Sequence, residues 1–447
     1  MEITSINFIF IFLPVFILVY WMVDARYRNI VLILGSLLFL GIGDALFLPL
    51  FTGLTIVNYL MYLINFKLRS KRAKKICLWV AVIIDLIPLL IFKYVPHMSL
   101  MPLGMSFYTF EMISWQIDVV KSKAQKRASF IEYFTFIAMF PKLLMGPLAR
   151  IKDMRNSITL PRYFSLENCE EGLIHFSFGL GLKMLLAEPF STLWSGIMTG
   201  GIHSLSLPMA WLGAFAYTLE LYFDFWGYSE MAVGLGKILG FDLPANFKNP
   251  YLSTSMTEFF RRWHITLGAW FRDYVYIGLG GSREGTFRTI FNLFIVWLLT
   301  GVWHGDRANF LLWGFVLFVL ITLEKFTPFK KITQNRFLGH MYILIIMPVL
   351  WMIFANSDFT DMLLYLGCMF GAGFKLEDFI NPQFIRSLMT YWPFFVFGLL
   401  GITSLPGNIL KRYKKSPIFL LALLGVFWWS VYQIWVGSSN PFLYLSF

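Results

Sequence analysis

The sequence carries little charge and few cysteines, and each shortage excludes a class of protein. Charged residues make up 14% of its 447 positions, whereas a soluble domain has about 25%. A chain this poor in charge is neither a cytosolic enzyme nor a disordered protein. Its three cysteines (Cys77, Cys169 and Cys368) are odd in number and far apart. They predict buried thiols, with no disulfide framework and no bound metal.

The familiar catalytic motifs are also missing. The sequence contains no GxSxG nucleophile elbow, no HExxH zinc motif and no phosphate-binding loop that ends in GK followed by Ser or Thr. The glycine-rich runs GLGLK (179–183) and GLGKILG (234–240) lie in apolar surroundings. These glycines therefore predict close packing between helices rather than a phosphate site.

Hydrophobic residues, in contrast, fill 58% of the chain, and 19% of it is aromatic. So much apolar surface indicates a protein for which lipid is part of the solvent, because runs long enough to cross a bilayer recur along the sequence. The runs are 7–23, 29–43, 46–66, 76–95, 103–119, 171–187, 208–238, 288–303, 308–324, 339–356, 391–409 and 417–436. We predict an all-α polytopic integral membrane protein with about 11–12 crossings, folded as a single integral domain over residues 1–447.

The stretch 130–149 is apolar but differs from these runs. Pro141, Gly146 and Pro147 interrupt it, and both of its ends lie beside basic loops, so we predict a re-entrant hairpin.

The net charge of +12 is concentrated in short loops between the apolar runs. This pattern predicts a cytoplasmic face rich in Lys and Arg, in contact with anionic membrane lipids, and no binding of nucleic acid.

A polar stretch rich in aromatic residues lies between two apolar blocks, at 248–285. Ser255 or Thr254 can cap a helix there, with Glu258 in its first turn. Over 260–274 the apolar residues recur at helical spacing, and most of the charged residues fall on the other side. We predict one amphipathic helix that lies at the cytoplasmic interface.

Histidine occurs six times, and two of these residues are candidates for chemistry. His304 ends the apolar run TIFNLFIVWLLTGVW and precedes Gly305 and Asp306, where the helix must break or turn. An imidazole at such a place is tolerated mainly when it faces a cavity or a partner, so a functional and a structural role are equally open. His264 lies near the edge of the amphipathic helix, where a plain interfacial role is favoured.

A second polar cluster falls inside the long apolar run 208–238. Tyr217, Glu220, Asp224 and Tyr228 share one helical face by their spacing. Acids within a hydrophobic helix line a water-filled cavity or pair with a cation. A structural ion pair and a proton or ion pathway are both open, and the pathway predicts a transporter or flippase that uses Glu220 and Asp224. The cations considered as partners are Arg261, Arg262 and Lys183.

Two long motifs carry a resemblance to a known family. EFFRRWHITLGAWFRDYVYIGLGGSREG (258–285), followed by LLTGVWHGDRANFLLWG (298–314), resembles the membrane-bound O-acyltransferase (MBOAT) superfamily and, within it, the membrane subunit of alginate O-acetyltransferases. RRWH, WFRDY, LGG and WHG in this order are far more specific than any one of them alone. Further similar blocks stand in family order at 101–121, 140–154, 221–241 and 440–447.

The resemblance implies an MBOAT-type helical bundle with re-entrant and interfacial helices around a central tunnel, and a signature core at 217–314. It implies an enzyme of the bacterial inner membrane that moves acetyl from a cytoplasmic thioester, acetyl-CoA or an acyl carrier, to a hydroxyl group outside the cytoplasm. The acceptor would be an SGNH-type partner protein, which passes acetyl on to an exopolysaccharide or a cell-wall polymer. No bound cofactor is implied.

The same resemblance implies roles for individual residues. The histidine of the WHG motif is His304, implied as the catalytic base, and that of RRWH is His264, implied as the second tunnel histidine. A neutral imidazole can accept the proton of an attacking hydroxyl near pH 7. The other candidates, for binding the substrate or the donor, are Arg261, Arg262, Arg272, Trp303 and Asp224. The arginines would attract the donor phosphates, and Trp303, Arg262 or His264 could donate to the thioester oxygen.

A close alternative within the superfamily is the D-alanyl transfer protein of teichoic acid modification, which depends on an aminoacyl carrier protein. The GGSREG loop (280–285) and the C-terminal block favour the acetyl branch. The transporter differs from both enzymes, because it would require Asp224 but not His304.

Overall fold

The computed structural model describes residues 1–95, 101–121, 127–373, 375–437, 440, 442 and 443, and no strand forms among them. Most of the C-terminal block 440–447 therefore lies outside the described residues. The first ten α-helices are α1 Leu13–Met22, α2 Arg28–Asp44, α3 Leu48–Lys67, α4 Lys71–Tyr94, α5 Met105–Lys121, α6 Phe130–Ala138, α7 Phe140–Leu143, α8 Ile151–Thr159, α9 Leu166–Gly181 and α10 Glu188–Thr199. They are followed by α11 Leu207–Ile238, α12 Met256–Arg262, α13 Ile265–Trp270, α14 Thr286–His304, α15 Ala308–Phe326, α16 Lys330–Gln334, α17 Arg336–Ala355, α18 Phe359–Met369, α19 Pro382–Gly401, α20 Leu405–Tyr413 and α21 Pro417–Trp435. Single π-helical turns are found at Phe8–Phe12, Leu182–Ala187 and Phe271–Tyr276.

Helices long and apolar enough to cross a membrane recur through the chain. Within the described residues there are eight such stretches, of which Ala25–Lys67 contains both α2 and α3. The others are Lys71–Tyr94, Leu166–Thr199, Thr286–His304, Ala308–Phe326, Arg336–Ala355, Pro382–Gly401 and Pro417–Trp435. The prediction of an all-α polytopic membrane protein is confirmed, whereas the number of crossings stays a prediction.

The predicted span 391–409 is wrong in its bounds. Helix α19 ends at Gly401, inside the predicted span. Thr403 forms the turn into α20, because its hydroxyl donates to the Leu400 carbonyl and accepts from the Leu405 amide. The helix begins nine residues before the predicted start, in a polar stretch that contains Arg386. Hydropathy skipped that stretch because a helix continues through polar residues that an apolar window rejects.

The chain forms two compact units. The first consists of residues 1–177 and 228–245, and the second consists of 178–227 and 246–447. A single integral domain over the whole chain stays a prediction.

Two buried acids of the first unit, Glu111 and Asp85, each have a polar partner. The Lys142 ammonium forms an ion pair with Glu111 and lies 4.8 Å from the centre of the Phe136 ring. Both carboxylate oxygens of Asp85 lie 2.6 Å from the Asn58 amide nitrogen. Acids inside apolar helices are costly unless they are paired or hydrogen-bonded, and these contacts meet that requirement.

The stretch predicted as a re-entrant hairpin is broken in the middle. Helix α6 stops before Met139, whose backbone leaves the helical region at φ −49° and ψ 108°, and α7 then begins beside Pro141. The Phe140 amide donates to the Ser36 hydroxyl instead of to its own helix. Residues 133–149 are buried throughout. The interruption is confirmed, and the return to the same membrane face stays a prediction.

Glycines of the second glycine-rich run allow close helix packing, as predicted. A β-carbon on Gly234 would lie 2.4 Å from the Gly172 carbonyl oxygen and 2.7 Å from the Phe176 nitrogen.

We expect Gly234→Ala to lower the free energy of unfolding by about 1–3 kcal/mol, because α9 and α11 must move apart. Gly196→Ala in α10 is the matched control, since among the described residues no other part of the chain lies within 4 Å of a β-carbon built there and alanine is the better helix former by about 1 kcal/mol. Unfolding in detergent measures both variants, and equal losses would contradict the prediction.

Candidate active site around two histidines

The predicted amphipathic helix is not continuous, and the prediction of one helix there is wrong. Helix α12 ends at Arg262, and α13 begins only at Ile265. Between them His264 adopts the left-handed conformation, with φ 44° and ψ 54°, which is uncommon for a residue other than glycine. The backbone of a distant segment causes the break: the Ile265 amide donates to the Asn246 carbonyl at 2.9 Å, and the Lys248 amide donates to the Arg262 carbonyl at 2.9 Å.

The start of α12 is fixed by two sets of caps. The Ser255 hydroxyl accepts from the Glu258 amide at 3.1 Å, as the sequence predicts. The Glu324 carboxylate of α15 also accepts from the Met256 amide at 2.5 Å and from the Thr257 amide at 3.1 Å. A carboxylate at a helix N-terminus satisfies free N–H groups and the helix dipole. Glu324 was missed because no local spacing reveals a cap that comes from another helix.

His264 is buried, with only 3% of its surface exposed, so the predicted interfacial position is wrong. Its Nδ1 lies 3.1 Å from the side-chain oxygen of Asn246. The Phe225 ring stands edge-on to the imidazole, with ring centres 4.7 Å apart. The side chain is thus buried at the break between the two helices, whereas the sequence predicted a place near the edge of one continuous amphipathic helix.

Burial lowers the pKa of His264 to about 3, well below the ordinary value near 6.5. The unfolded chain therefore binds a proton at this residue between pH 6.5 and 3, while the folded chain does not. Stability must fall as the pH falls through that window, by up to about 1.4 kcal/mol per pH unit. We expect His264→Gln to remove this component of the slope when thermal unfolding is measured from pH 7.5 to 4.5. Identical slopes for parent and variant would contradict the lowered pKa.

His304 is the last residue of α14 and is also buried. Aromatic rings surround its imidazole: the centres of Trp303, Trp313 and Phe354 lie 4.8, 5.2 and 5.0 Å away. The Phe310 ring stacks on it at 6.3 Å. Such a wall of rings keeps bulk water away from the imidazole.

Two glycines let α14 and α15 approach closely enough to build this wall. A β-carbon on Gly301 would lie 2.6 Å from the Phe310 carbonyl oxygen, and one on Gly314 would lie 2.5 Å from the Trp297 carbonyl oxygen. The two helices form a tight hairpin whose turn follows His304 directly. His304 is thus held on a helix end between rigid elements, which favours a fixed side-chain geometry.

The Trp303 indole connects the two histidines. Its ring centre lies 4.8 Å from that of His304 and 6.2 Å from that of His264. The structure therefore brings together three of the residues that the sequence singled out, although they come from two separate segments. Their catalytic roles stay predictions.

The predicted donor-binding arginines lie on the short helices of this region. Arg261 is exposed, and the Arg272 side chain is 60% exposed beside Asp273. The Arg262 guanidinium lies 2.6 Å from the Glu258 carboxylate and is half-buried. Arg261 and Arg272 have the accessibility that phosphate binding requires, and their contact with a donor stays a prediction.

Asp224 belongs to a buried ion cluster. The Lys183 ammonium lies 2.7 Å from the Asp224 carboxylate and 2.8 Å from the Glu188 carboxylate, and none of the three is exposed. The Leu443 amide donates to Asp224, and the Asn440 amide donates to Glu188. Of the partners considered from the sequence, Lys183 is the one observed. The sequence did not predict Glu188 as a partner of Lys183. The π-helical turn at Leu182–Ala187 shifts the helical register between them, so regular α-helical spacing does not reveal the pair.

A known protein family matches most of this chain. The family model of the membrane-bound O-acyltransferases matches residues 16–364, which include His264 and His304. The chain belongs to the MBOAT family. The chain is therefore a membrane O-acyltransferase, as predicted, rather than the transporter that was considered on the basis of Glu220 and Asp224.

Three relatives show how this MBOAT chain compares within the family. It is 33% identical to a protein named probable alginate O-acetylase from Pseudomonas putida, with all of both chains covered. It is 29% identical to the peptidoglycan O-acetyltransferase of Helicobacter pylori, over 98% of this chain and 96% of that one. It is also 26% identical to the teichoic acid D-alanyltransferase of Bacillus subtilis, over 57% of this chain and 71% of that one.

Proposed function

We propose that this protein is a membrane O-acetyltransferase, which moves acetyl from a cytoplasmic thioester to a hydroxyl group on the other side of a bacterial inner membrane. The observation that carries the proposal is the pair of buried histidines beside Trp303, enclosed by aromatic rings. The names of the relatives that match the whole chain support acetyl as the group transferred.

His304 acts as the general base in this proposal. Its neutral imidazole removes the proton of the acceptor hydroxyl as the oxygen attacks the thioester carbonyl carbon. The tetrahedral intermediate then collapses, the carbon–sulfur bond breaks, and the thiolate leaves with the proton that His304 returns. An ester and a free thiol are formed, and no other reactant is required.

The residues around His304 complete the site. The Trp303 indole N–H donates to the oxyanion of the intermediate, which is the charge that most needs stabilisation in acyl transfer. Arg261 and Arg272, which are accessible, bind the phosphates of acetyl-CoA or of an acyl carrier protein. Arg262 is held by Glu258 within α12, the short helix that ends just before the backbone break at His264.

The acceptor is a polymer of the cell envelope, reached through a partner. An SGNH-type protein outside the cytoplasm takes the acetyl group and passes it to a polysaccharide. The relatives support an acceptor of this class, because their names include alginate and peptidoglycan.

The reaction itself is tested with radiolabelled acetyl-CoA and membranes that contain the protein together with its cell-envelope fraction. We expect label in the polymer or partner only when the protein is present. A second arm supplies a labelled D-alanyl carrier protein. Transfer from that donor alone would replace the proposal with D-alanyl transfer, and transfer from neither donor in complete envelopes would overturn it.

A further inference from the structure

Asn246 is a buried residue in the segment between α11 and α12, and it was not among the residues singled out from the sequence. Three groups lie within hydrogen-bonding distance of its side-chain oxygen. The Thr266 amide lies 3.3 Å away, the Thr266 hydroxyl lies 2.9 Å away, and Nδ1 of His264 lies 3.1 Å away. The Asn246 carbonyl accepts from Ile265, which fixes the backbone beside His264 as well.

These contacts determine which nitrogen of His264 carries the proton. The Thr266 backbone amide can only donate, so the atom of Asn246 that it meets is the amide oxygen rather than the NH₂ group. An amide oxygen can only accept, so Nδ1 of His264 must be the donor. A neutral imidazole has one N–H group, and its other nitrogen therefore holds a lone pair.

We propose that Asn246 is a positioning residue that fixes His264 as the Nδ1–H tautomer, so that Nε2 accepts a hydrogen bond from an N–H or O–H group of the bound substrate. This inference rests on the proposed acyl transfer and specifies what the second histidine does in it. In this tautomer Nε2 cannot donate to the oxyanion, which leaves that role to Trp303. His264 holds a substrate, and His304 moves the proton.

The choice of an amide at position 246 also has a physical reason. An aspartate would orient the ring equally well, but its negative charge would favour the imidazolium form of His264. An imidazolium has N–H groups on both nitrogens and accepts nothing. Asparagine orients the ring without charging it, so the acceptor at Nε2 is kept.

The tautomer is measured directly on protein labelled with ¹⁵N-histidine, because only six histidines contribute signals. His264→Gln identifies the signals of His264. We expect a protonated Nδ1 and a bare Nε2 in the parent, and loss of that pattern in Asn246→Leu. Thr266→Val is the control, since it removes one hydrogen bond to the same oxygen and leaves the contact with His264 intact. A protonated Nε2 in the parent, or an unchanged pattern in Asn246→Leu, would overturn the inference.

Asn246→Asp tests the consequence for the reaction in a variant of the same shape. We expect its kcat/KM to fall by about tenfold for each pH unit below a raised pKa of His264, whereas kcat/KM of the parent should not fall over that pH range for this reason. A pH profile identical to that of the parent would contradict the role of Nε2 as an acceptor. If the parent transfers no acyl group, the proposed function fails, whereas the ¹⁵N measurement still decides the tautomer.

Discussion

Replacing His304 with alanine lowers kcat for acetyl transfer by about 10²–10⁴-fold, the range typical for loss of a general base. KM for the thioester changes little, because the imidazole acts on the proton of the acceptor hydroxyl rather than on the donor. The measurement is the initial rate of label transfer in membranes that contain equal amounts of each variant.

His340→Ala is the matched control for this variant. His340 lies on α17 in the same unit, and its Nδ1 contacts the Ser253 carbonyl oxygen at 3.1 Å, outside the ring of aromatic side chains. Its replacement should leave the rate within a few-fold of the parent. Equal rates for the parent and His304→Ala would exclude His304 as the base.

Replacing Lys183 with methionine lowers the free energy of unfolding by about 3–5 kcal/mol, because it leaves two buried carboxylates without a cation. The side chains of Asp224 and Glu188 are 1% and 7% exposed, so water does not compensate for the lost charge. Denaturant titration of the purified protein measures the change.

Lys237→Met is the control, since Lys237 also forms two ion pairs, with Asp242 and Glu171, but is partly exposed. Its loss should cost at most about 1 kcal/mol. Adding Asp224→Asn and Glu188→Gln to Lys183→Met should restore part of the lost stability, because the uncompensated charges are then removed. A Lys183→Met protein as stable as the parent would show that the cluster contributes nothing.

Periodic apolar patterns in the sequence predicted the helices well, and their limits have a physical cause. Runs such as 308–324 coincide with a helix because lipid and core both require apolar residues at every turn. The span placed at 391–409 missed its helix because that helix starts in a polar stretch, which hydropathy rejects but backbone hydrogen bonding does not.

The active-site region shows a different limit. Ser255 and Glu258 were predicted as a cap because a cap is local in sequence. The break at His264 was not predicted, since the aromatic spacing across it still fits one helix. Hydrogen bonds from the segment around Asn246 impose the break, and such long-range competition for backbone groups leaves no periodic signal.

The left-handed backbone at His264 sets two requirements in conflict at one position. A positive φ is tolerated best by glycine and asparagine, and for other residues it costs on the order of 1–3 kcal/mol unless the surroundings enforce it. The presence of an imidazole at this position implies that the chemistry of the ring outweighs the energetic cost of the backbone conformation. A residue with a proposed role in the reaction therefore stands where the backbone favours glycine, and hydrogen bonds from the segment around Asn246 hold it in that conformation.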